Sequence, residues 1–427
     1  MTGLPILVLG GKAAIIKKAA DLGFDVVNIQ KPSAFDPAVV DHCTDVLLVD
    51  YQDVPTTTAL VEALHARRPF VRVFTQTEAA LQTAGHLVDV LGLPGNGFTV
   101  AQTLHDKSAL RQVLNAADVS TVPFLKNPDA ATAREFIAEH GPAVLKPTMG
   151  SGSLGVRMIG SIDEVDDAWS WAGQFGLADM IVEKRLVGRE VSVESFSRDR
   201  RHTIVAITGK STGEGVVELG HVVPADLDDA AVVSLHRLVG EVLDAVGFVD
   251  GPAHTEIMIT DDAPYVIESH SRRGGDRINE LVEAVYGIDL EAATYRLADE
   301  DDGPLEIPAP DGAAAIRYVV ADPGTVQSVT GESEAAAADG VDVVKIQVDV
   351  SDQIHPVQWS EDRCGFVIAT GRDAAEATRR AEHAASHIRI TTVPAGASPS
   401  PTMSQIMSEI DEVLDAFADR SSEGGGR

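Results

Sequence analysis

The chain opens on a short unbroken apolar run, PILVL (5–9), closed by Gly10 and Gly11 and followed by a helical pattern, AAIIKKAADLG. FDVVNIQ, DVLLVD (45–50) and FVRVFTQ (70–76) repeat the strand signal, with a helix over 56–67 before the last of them. Short, continuously apolar strands alternating with helices predict a parallel sheet covered on both faces. Residues 1–105 therefore read as an open parallel α/β domain, ending near the glycine-rich LGLPGNGF (91–98). The Gly10–Gly11 turn lacks the full G-x-G-x-x-G spacing, so a dinucleotide site has weak support.

From residue 106 the pattern changes. A helix (106–116) leads into extended TVPFLK, a helix (130–140), the strand AVLKP, a Gly/Ser loop, VRMIG and a helix (162–175). The alternation in REVSVESF predicts a two-faced strand. HTIVAITGK, GHVVPA, a long helix (228–246), GPAHTEIMIT and APYVIESHS follow, so 106–300 reads as an α+β domain, with 118–187 as a smaller subdomain within it. AAIRYVV, DVVKIQVDV, GFVIATG, a helix (373–386) and HIRITT make a third, small α+β unit over 301–395. Residues 396–427 read as a linker, an amphipathic terminal helix and a frayed tail.

Composition narrows the class. With 44% hydrophobic and 23% charged residues, the 427-residue chain is globular and long enough for several domains. No apolar run reaches the roughly 20 residues that span a bilayer, and PILVLGG is too short and too soon charged for a leader, so a cytoplasmic location is expected. Two cysteines far apart, Cys43 and Cys364, make neither a disulfide framework nor a thiolate metal site. The net charge of −31 argues against nucleic acid or an anionic membrane as a partner. An acidic protein that binds a polyphosphate must neutralise it locally, with Lys, Arg and a divalent metal.

Candidates for that chemistry exist. Lys107 starts a helix, and Lys146 ends an apolar strand just before the loop 148–155, TMGSGSLG. A buried lysine is costly unless it meets an anion, although either side chain could instead snorkel to water. The loop could form a nest of backbone N–H groups or be an ordinary hairpin connection; the P-loop motif is absent. IVEKRL, with Glu190 shortly after, could read a purine edge and a ribose, or be a solvated charged turn. Glu256 and Glu268 sit in two apolar strand patterns separated by DDAP. On adjacent antiparallel strands they would meet, which is unfavourable unless a cation such as Mg²⁺ lies between them; two outward-facing glutamates are the alternative. Arg272 follows at the strand end, in RRGGDR, a segment suited to carboxylate or phosphate contacts by arginine forks. His221, His254 and His270 lie near these strands, but no H-E-x-x-H spacing exists and a zinc site is not expected.

Taken in order, DKSALR, AVLKPTMGSGSLGV, IVEKRLVGREVSVE and HTEIMI with YVIESHSR resemble the ATP-grasp superfamily over roughly residues 1–395. Each motif is loose, and the ordered set is specific. The resemblance implies that Lys107 and Lys146 contact ATP phosphates under the loop, with Ser151, Gly152 and Ser153. It implies that Glu183 and Leu186 present backbone to adenine beside Lys184, and that Glu190 holds ribose. Glu256 and Glu268 would bind Mg²⁺, which Mn²⁺ could replace. Arg272, with Lys146, would be catalytic, stabilising an acyl phosphate and the tetrahedral species after it. Glu194, His221, His254, Arg272, Gly274 and Gly275 would lie near the substrates. Many members carry Asn two residues after the second glutamate, where this chain has His270. The bacterial L-amino-acid ligases, dipeptide-forming enzymes of the bacilysin type, share the Glu-Ser-x-x-Arg pattern, and the sequence looks most like that subgroup. The departure leaves the number of metal ions open.

The implied reaction joins a small-molecule carboxylic acid to an amine, amino acids being the expected pair, with ATP as the energy source and a homodimer as the expected assembly. A carboxylase or formyl-transferring enzyme of nucleotide-precursor metabolism is the alternative enzyme reading. A non-catalytic nucleotide sensor is disfavoured because both candidate metal carboxylates and Arg272 are present.

Overall fold

The computed structural model describes residues 3–150, 152, 154–174, 179–213 and 217–394. Ser151, Ser153 and the helix expected within 396–427 lie outside these residues.

The first domain alternates β1 (Pro5–Leu9), α1 (Ala13–Asp21), β2 (Asp25–Gln30), β3 (Asp45–Leu48), α2 (Val54–Arg67), β4 (Arg72–Thr75) and α3 (Leu81–Leu91). The strands are parallel in the order β3-β2-β1-β4. Ile6, Leu7, Val8 and Leu9 are almost fully buried, as a strand covered on both faces requires. β3 reads in sequence as an equally apolar strand, yet it lies at the sheet edge with Leu48 46% exposed. Apolar composition alone does not distinguish an edge from a centre.

α4 (Phe98–His105) and α5 (Lys107–Ala116) lead into a small subdomain. Its elements are β5 (Phe124–Lys126), α6 (Ala130–His140), β6 (Ala143–Pro147), β7 (Arg157–Ile159), α7 (Val165–Gln174) and β8 (Met180–Lys184). The strands form an antiparallel sheet, β5-β8-β6-β7, packed on a core that includes Phe136, Ile137, Leu145, Ile159 and Val182. The Gly/Ser loop is the connection of the β6–β7 hairpin.

The remainder builds one large sheet. β9 (Arg189–Arg198), β10 (Arg201–Thr212), β11 (Glu218–Val223), α8 (Asp229–Val246), β12 (Gly251–Ile259) and β13 (Pro264–His270) are followed by α9 (Ile278–Tyr286) and α10 (Leu290–Arg296). Then come β14 (Ala313–Val319), β15 (Gly324–Thr330), α11 (Glu332–Ala336), β16 (Val341–Ile346), β17 (Gln353–Ile354), β18 (Gly365–Gly371), α12 (Ala374–Ala385) and β19 (Arg389–Val393). Eight strands pair in the order β13-β12-β9-β10-β11-β14-β18-β16, and β17-β15-β19 form a side sheet. Within the unit read over 301–395, β14 pairs directly with β11 and carries the large sheet onward. Strand composition signals a sheet but not whose sheet it joins.

The REVSVESF alternation works as its period demands. Val191 and Val193 of β9 join Ile207, Ala253, Ile257 and Val266 against Leu235, Leu238, Val239, Val242 and Leu243 of α8. The opposite face carries Ser192 and Glu194, and these are fully buried too. A polar row under cover, in place of the solvated face that alternation suggests, locates the working surface. Among the described residues, no helix is long and apolar enough to cross a membrane.

Leu243 is fully buried at the centre of the contact between α8 and the sheet. Leu243→Ala is expected to cost about 2–5 kcal/mol, the usual range for a leucine cavity in a core, read as a lowered melting temperature.

Candidate active site

The site starts from a register. The turn between β12 and β13 pairs Ile259 with Pro264, Met258 with Tyr265 and Ile257 with Val266. Continued unchanged, that register would set Glu256 opposite Ile267 and turn Glu268 to the other face, because side chains alternate. A bulge intervenes between Ile257 and Glu256, leaving Ile267 as the extra residue, and Glu256 pairs with Glu268. The two carboxylates therefore share the polar face.

Two like charges on neighbouring strands need compensation. Lys210 Nζ lies 2.6 Å from Glu256 Oε1, and Lys107 Nζ lies 3.1 Å from Glu268 Oε2. His254 Nε2 is 3.2 Å from Glu256 Oε1, and His270 Nε2 is 2.9 Å from Glu268 Oε1. Burial pushes the Glu256 pKa up, but Lys210 outweighs it despite the opposing charge of Glu268, and the group falls to about 2. Glu268 is likewise held well below the usual carboxylate range, its burial overcome by Lys107 and His270. Both are ionised oxygen donors, the ligand type that a hard divalent cation takes.

Lys107 links this pair to the glycine loop. Asp106 caps α5 by accepting from Ser108 N and Ala109 N, which sets Lys107 at the first helical position. Its Nζ donates to Gly150 O at 2.6 Å, and its backbone N donates to Thr148 O. Gly150 (φ 123°) and Gly152 (φ 68°) take left-handed backbone conformations that favour glycine. Lys146, at the end of β6, is buried and lies 2.6 Å from Glu183 Oε2. Arg111, one helical turn beyond Lys107, holds Glu183 Oε1 at 2.7 Å and donates to Val266 O at 2.6 Å.

The resemblance concerns the Glu183 backbone; the structure gives its side chain a separate task. Glu183 sits in the middle strand, between Phe124 of β5 and Val144 of β6, and its carboxylate is the counterion of two buried cations. Burial raises its pKa, and Lys146 and Arg111 bring it below the ordinary value. The physical reason is the one that makes a buried lysine notable: the cation requires an anion. Lys184, exposed, and Leu186, half-buried, lie at the strand end and in the linker beyond it. They line a cleft of about 280 Å³ with Pro123, Thr260, Asp262 and Tyr265.

Glu190 also has a partner that the resemblance did not imply. Its Oε1 is 2.9 Å from Lys210 Nζ, which is 3.2 Å from Glu218 as well. Oxygens of Glu190, Glu218 and Glu256 lie within 4.8 Å of one another around this one ammonium. Burial and the neighbouring acids raise the Glu190 pKa against the pull of Lys210.

Beyond the metal-type carboxylates the row continues. Glu194 Oε2 is 2.9 Å from His254 Nδ1, so His254 bridges Glu194 and Glu256. Burial would lower the His254 pKa, but Glu194 raises it to about 9, making it an imidazolium with both nitrogens engaged. Glu194 and His254, expected near substrate, are thus bound first to each other. Gly274 lies over them, and a Cβ there would come to 3.0 Å from both Glu194 Oε2 and His254 Nδ1, so any larger residue would press on this buried pair. Gly275 is exposed with open space around it. His221 Nε2 is 3.0 Å from Asp276 Oδ2, and Asp276 receives both terminal nitrogens of Arg363 at 2.7 Å. Arg363 lies 3.6 Å over the Tyr318 ring. Arg272 pairs through Nε with Glu78 of the first domain. Burial would lower its pKa, and the charges of Glu78, Glu268 and Glu256 raise it instead.

Sequence reasoning missed Arg111, Lys210, Glu78, Glu218 and Arg363. Two left a signal: Arg111 follows Lys107 at i+4, and Lys210 shares the polar alternation of β10 with Thr208. Glu78, Glu218 and Arg363 reach the site through tertiary structure alone.

Three family models match the chain. They are the ATP-grasp N-terminal domain over residues 16–95, the ATP-grasp domain over 139–280 and the L-amino acid ligase C-terminal domain 2 over 317–393. An uncharacterized protein of Sinorhizobium fredii is 30% identical, the match covering 79% of this chain and 72% of that one. The chain belongs to the ATP-grasp superfamily of carboxylate–amine ligases. The L-arginine-specific L-amino acid ligase of Bacillus subtilis is 24% identical over 79% of this ATP-grasp chain and 84% of its own. The L-amino acid ligase of Bacillus licheniformis has the same fold, with a TM-score of 0.78 at 22% identity over 92% of this chain and 100% of its own.

Lys210 balances three acids in this ATP-grasp site while 2% exposed. Lys210→Met is expected to destabilise the protein by about 3–5 kcal/mol, the cost of leaving a buried charge unpaired. Millimolar magnesium should recover part of the lost melting temperature in the variant and less in the wild type, because the ion replaces the missing positive charge.

Proposed function

We propose that the chain is an ATP-dependent ligase that joins the carboxylate of one amino acid to the amine of another, with Mg²⁺ held by Glu256 and Glu268. The pairing of Glu256 with Glu268 on one face, with the ammonium of Lys107 against it, carries the reading. Ionised oxygen donors with no thiolate among them suit magnesium. When bound, the metal supplies positive charge to the phosphate oxygens. The relatives' names support amino acids as substrates, since one acts on L-arginine and the solved neighbour is an L-amino acid ligase.

In the first step a substrate carboxylate oxygen attacks the γ-phosphorus of ATP. The new O–P bond forms as the bond to the β–γ bridging oxygen breaks, giving an acyl phosphate and ADP. In the second, the amine nitrogen attacks the acyl carbon. The tetrahedral species collapses with loss of phosphate, the nitrogen gives up a proton to phosphate or solvent, and an amide remains. No side-chain nucleophile is needed. The chain's part is to position the reactants and to meet charge where it develops. Lys107 and Lys146 are the ammoniums available to phosphate oxygens, held until then by Glu268 and Glu183. Arg272 is the cation for the acyl phosphate and the oxyanion that follows it. Glu194 and His254 hold Glu256 from behind.

Incubation with ATP, magnesium and pairs of amino acids should release phosphate in an amino-acid-dependent manner. Glu268→Gln should reduce that rate by at least ~10²-fold, the scale of losing one preorganised electrostatic group, in a protein that still folds but with a melting temperature lowered by the loss of the Lys107 and His270 counterion. Phosphate release that depends on bicarbonate and ignores amino acids would overturn the ligase reading. Wild-type turnover in Glu268→Gln would overturn the metal assignment.

A further inference from the structure

The first domain supplies one side chain to the reaction's charged centre. β4 ends at Thr75, and the chain turns through Thr77 into a short 3₁₀ segment, Glu78–Ala80. This turn lies at the carboxyl end of the parallel sheet, where open α/β folds place ligand-facing groups. Glu78 there meets three basic side chains from other elements. Its Oε2 pairs with Arg272 Nε, and its Oε1 lies 3.1 Å from His105 Nδ1 and 3.6 Å from His270 Nδ1. It is the only acid that the described ion pairs give to the Arg272 side chain.

The arginine fork shows what the contact does. Two of the three guanidinium nitrogens of Arg272 are committed, Nε to Glu78 and Nη1 to the Arg273 carbonyl at 2.9 Å. Among the described residues, Nη2 makes no hydrogen bond. A guanidinium anchored at two of its nitrogens presents its remaining donors in a set direction, because the group is planar and rigid. Without Glu78, the nearby charges of Glu268 and Glu256 would draw the arginine onto the carboxylates proposed to hold the metal, and both functions would be lost together.

Building on the ligase reading, we propose that Glu78 is a positioning residue for the reaction: it holds Arg272 away from Glu256 and Glu268, with its free donors toward the transferring phosphoryl group and the acyl centre. The first domain thereby takes a direct part in chemistry whose other charged groups come from the rest of the chain.

The experiment compares wild type, Glu78→Gln, Glu78→Asp, Arg272→Gln and the double variant Glu78→Gln/Arg272→Gln, using amino-acid-dependent phosphate release, KM for ATP and melting temperature. Glu78→Gln should lose ~10²-fold in kcat, as expected for misplacing a transition-state group by about 1 Å. Its KM for ATP should stay within roughly 3-fold, since Arg272 acts on the transition state and not on uniform binding. The double variant should be no slower than Arg272→Gln, because Glu78 works only through that arginine. If the glutamine variant does not fold, Glu78→Asp, which keeps the charge but shortens the reach by one methylene, should show the same loss in kcat at unchanged KM. Wild-type kcat in a folded Glu78 variant, losses that multiply in the double variant, or a rise in KM with kcat preserved would each overturn the inference while leaving the ligase reading intact. A wild type that releases no phosphate with any amino-acid pair would overturn the ligase reading, and the inference with it.

Discussion

The opposition of Glu256 and Glu268 organises everything around it. Two buried carboxylates on adjacent strands repel one another, and the low dielectric that strengthens the repulsion also strengthens any cation placed nearby. Four basic groups surround the pair, delivered by three routes: Lys107 by a helix start, Lys210 by β10 of the same sheet, His254 and His270 by alternation along β12 and β13 themselves. None of these cations would be tolerated so deep without the acids, and the acids would not ionise there without the cations. The cluster is one electrostatic unit spread over several elements.

From that unit the architecture follows. The polar face of the large sheet is buried because other parts of the chain cover it. The small antiparallel sheet contributes Lys146, the 272–277 turn lays Gly274 across Glu194 and His254, and the C-terminal strands bring Arg363 onto Asp276. The first domain adds Glu78. Each contribution is an ion pair or a close backbone approach, so covering the face also satisfies its charges. The opposite face is ordinary core against α8, and this asymmetry explains how one strand such as β9 can be buried on both sides while alternating strictly in polarity.

Much of this was legible in the chain. The elements around Lys107, Lys146, Glu256 and Glu268 follow from local pattern, since apolar period and capping act within a few residues. The meeting of the two glutamates was legible as a possibility only. It depends on Ile267 being extruded as a bulge, and a bulge is decided by what the two strands pack against, not by their own alternation. For Glu183 the resemblance implies a backbone contact and leaves the side chain unassigned; that side chain belongs to Lys146 and Arg111, a pairing across two strands and a helix that no spacing encodes. Glu78 and Arg363 are the extreme case. They stand 178 and 107 residues from Glu256, no local rule links them to it, and only the closure of the whole sheet and its covering domains unites them.

The charge arrangement also bears on how an acidic protein accepts a polyanion. Glu183 holds Lys146 and Arg111; Glu268 holds Lys107; Glu190, Glu218 and Glu256 share Lys210; and Glu78 holds Arg272. Each of Lys107, Lys146, Lys210 and Arg272 already has an acid partner, so a triphosphate entering alone would find these cations matched and three acids gathered round one ammonium. Lys107 and Lys146 can turn to phosphate only if Glu268 and Glu183 find other positive partners. Arg111 remains for Glu183. On the proposed reading, a divalent cation arriving with the nucleotide is the partner for Glu268 and its neighbour Glu256 that keeps the exchange neutral. The ion-pair pattern then accounts for a metal in the reaction: the acids that hold the site together are the ones that change partner when the nucleotide binds.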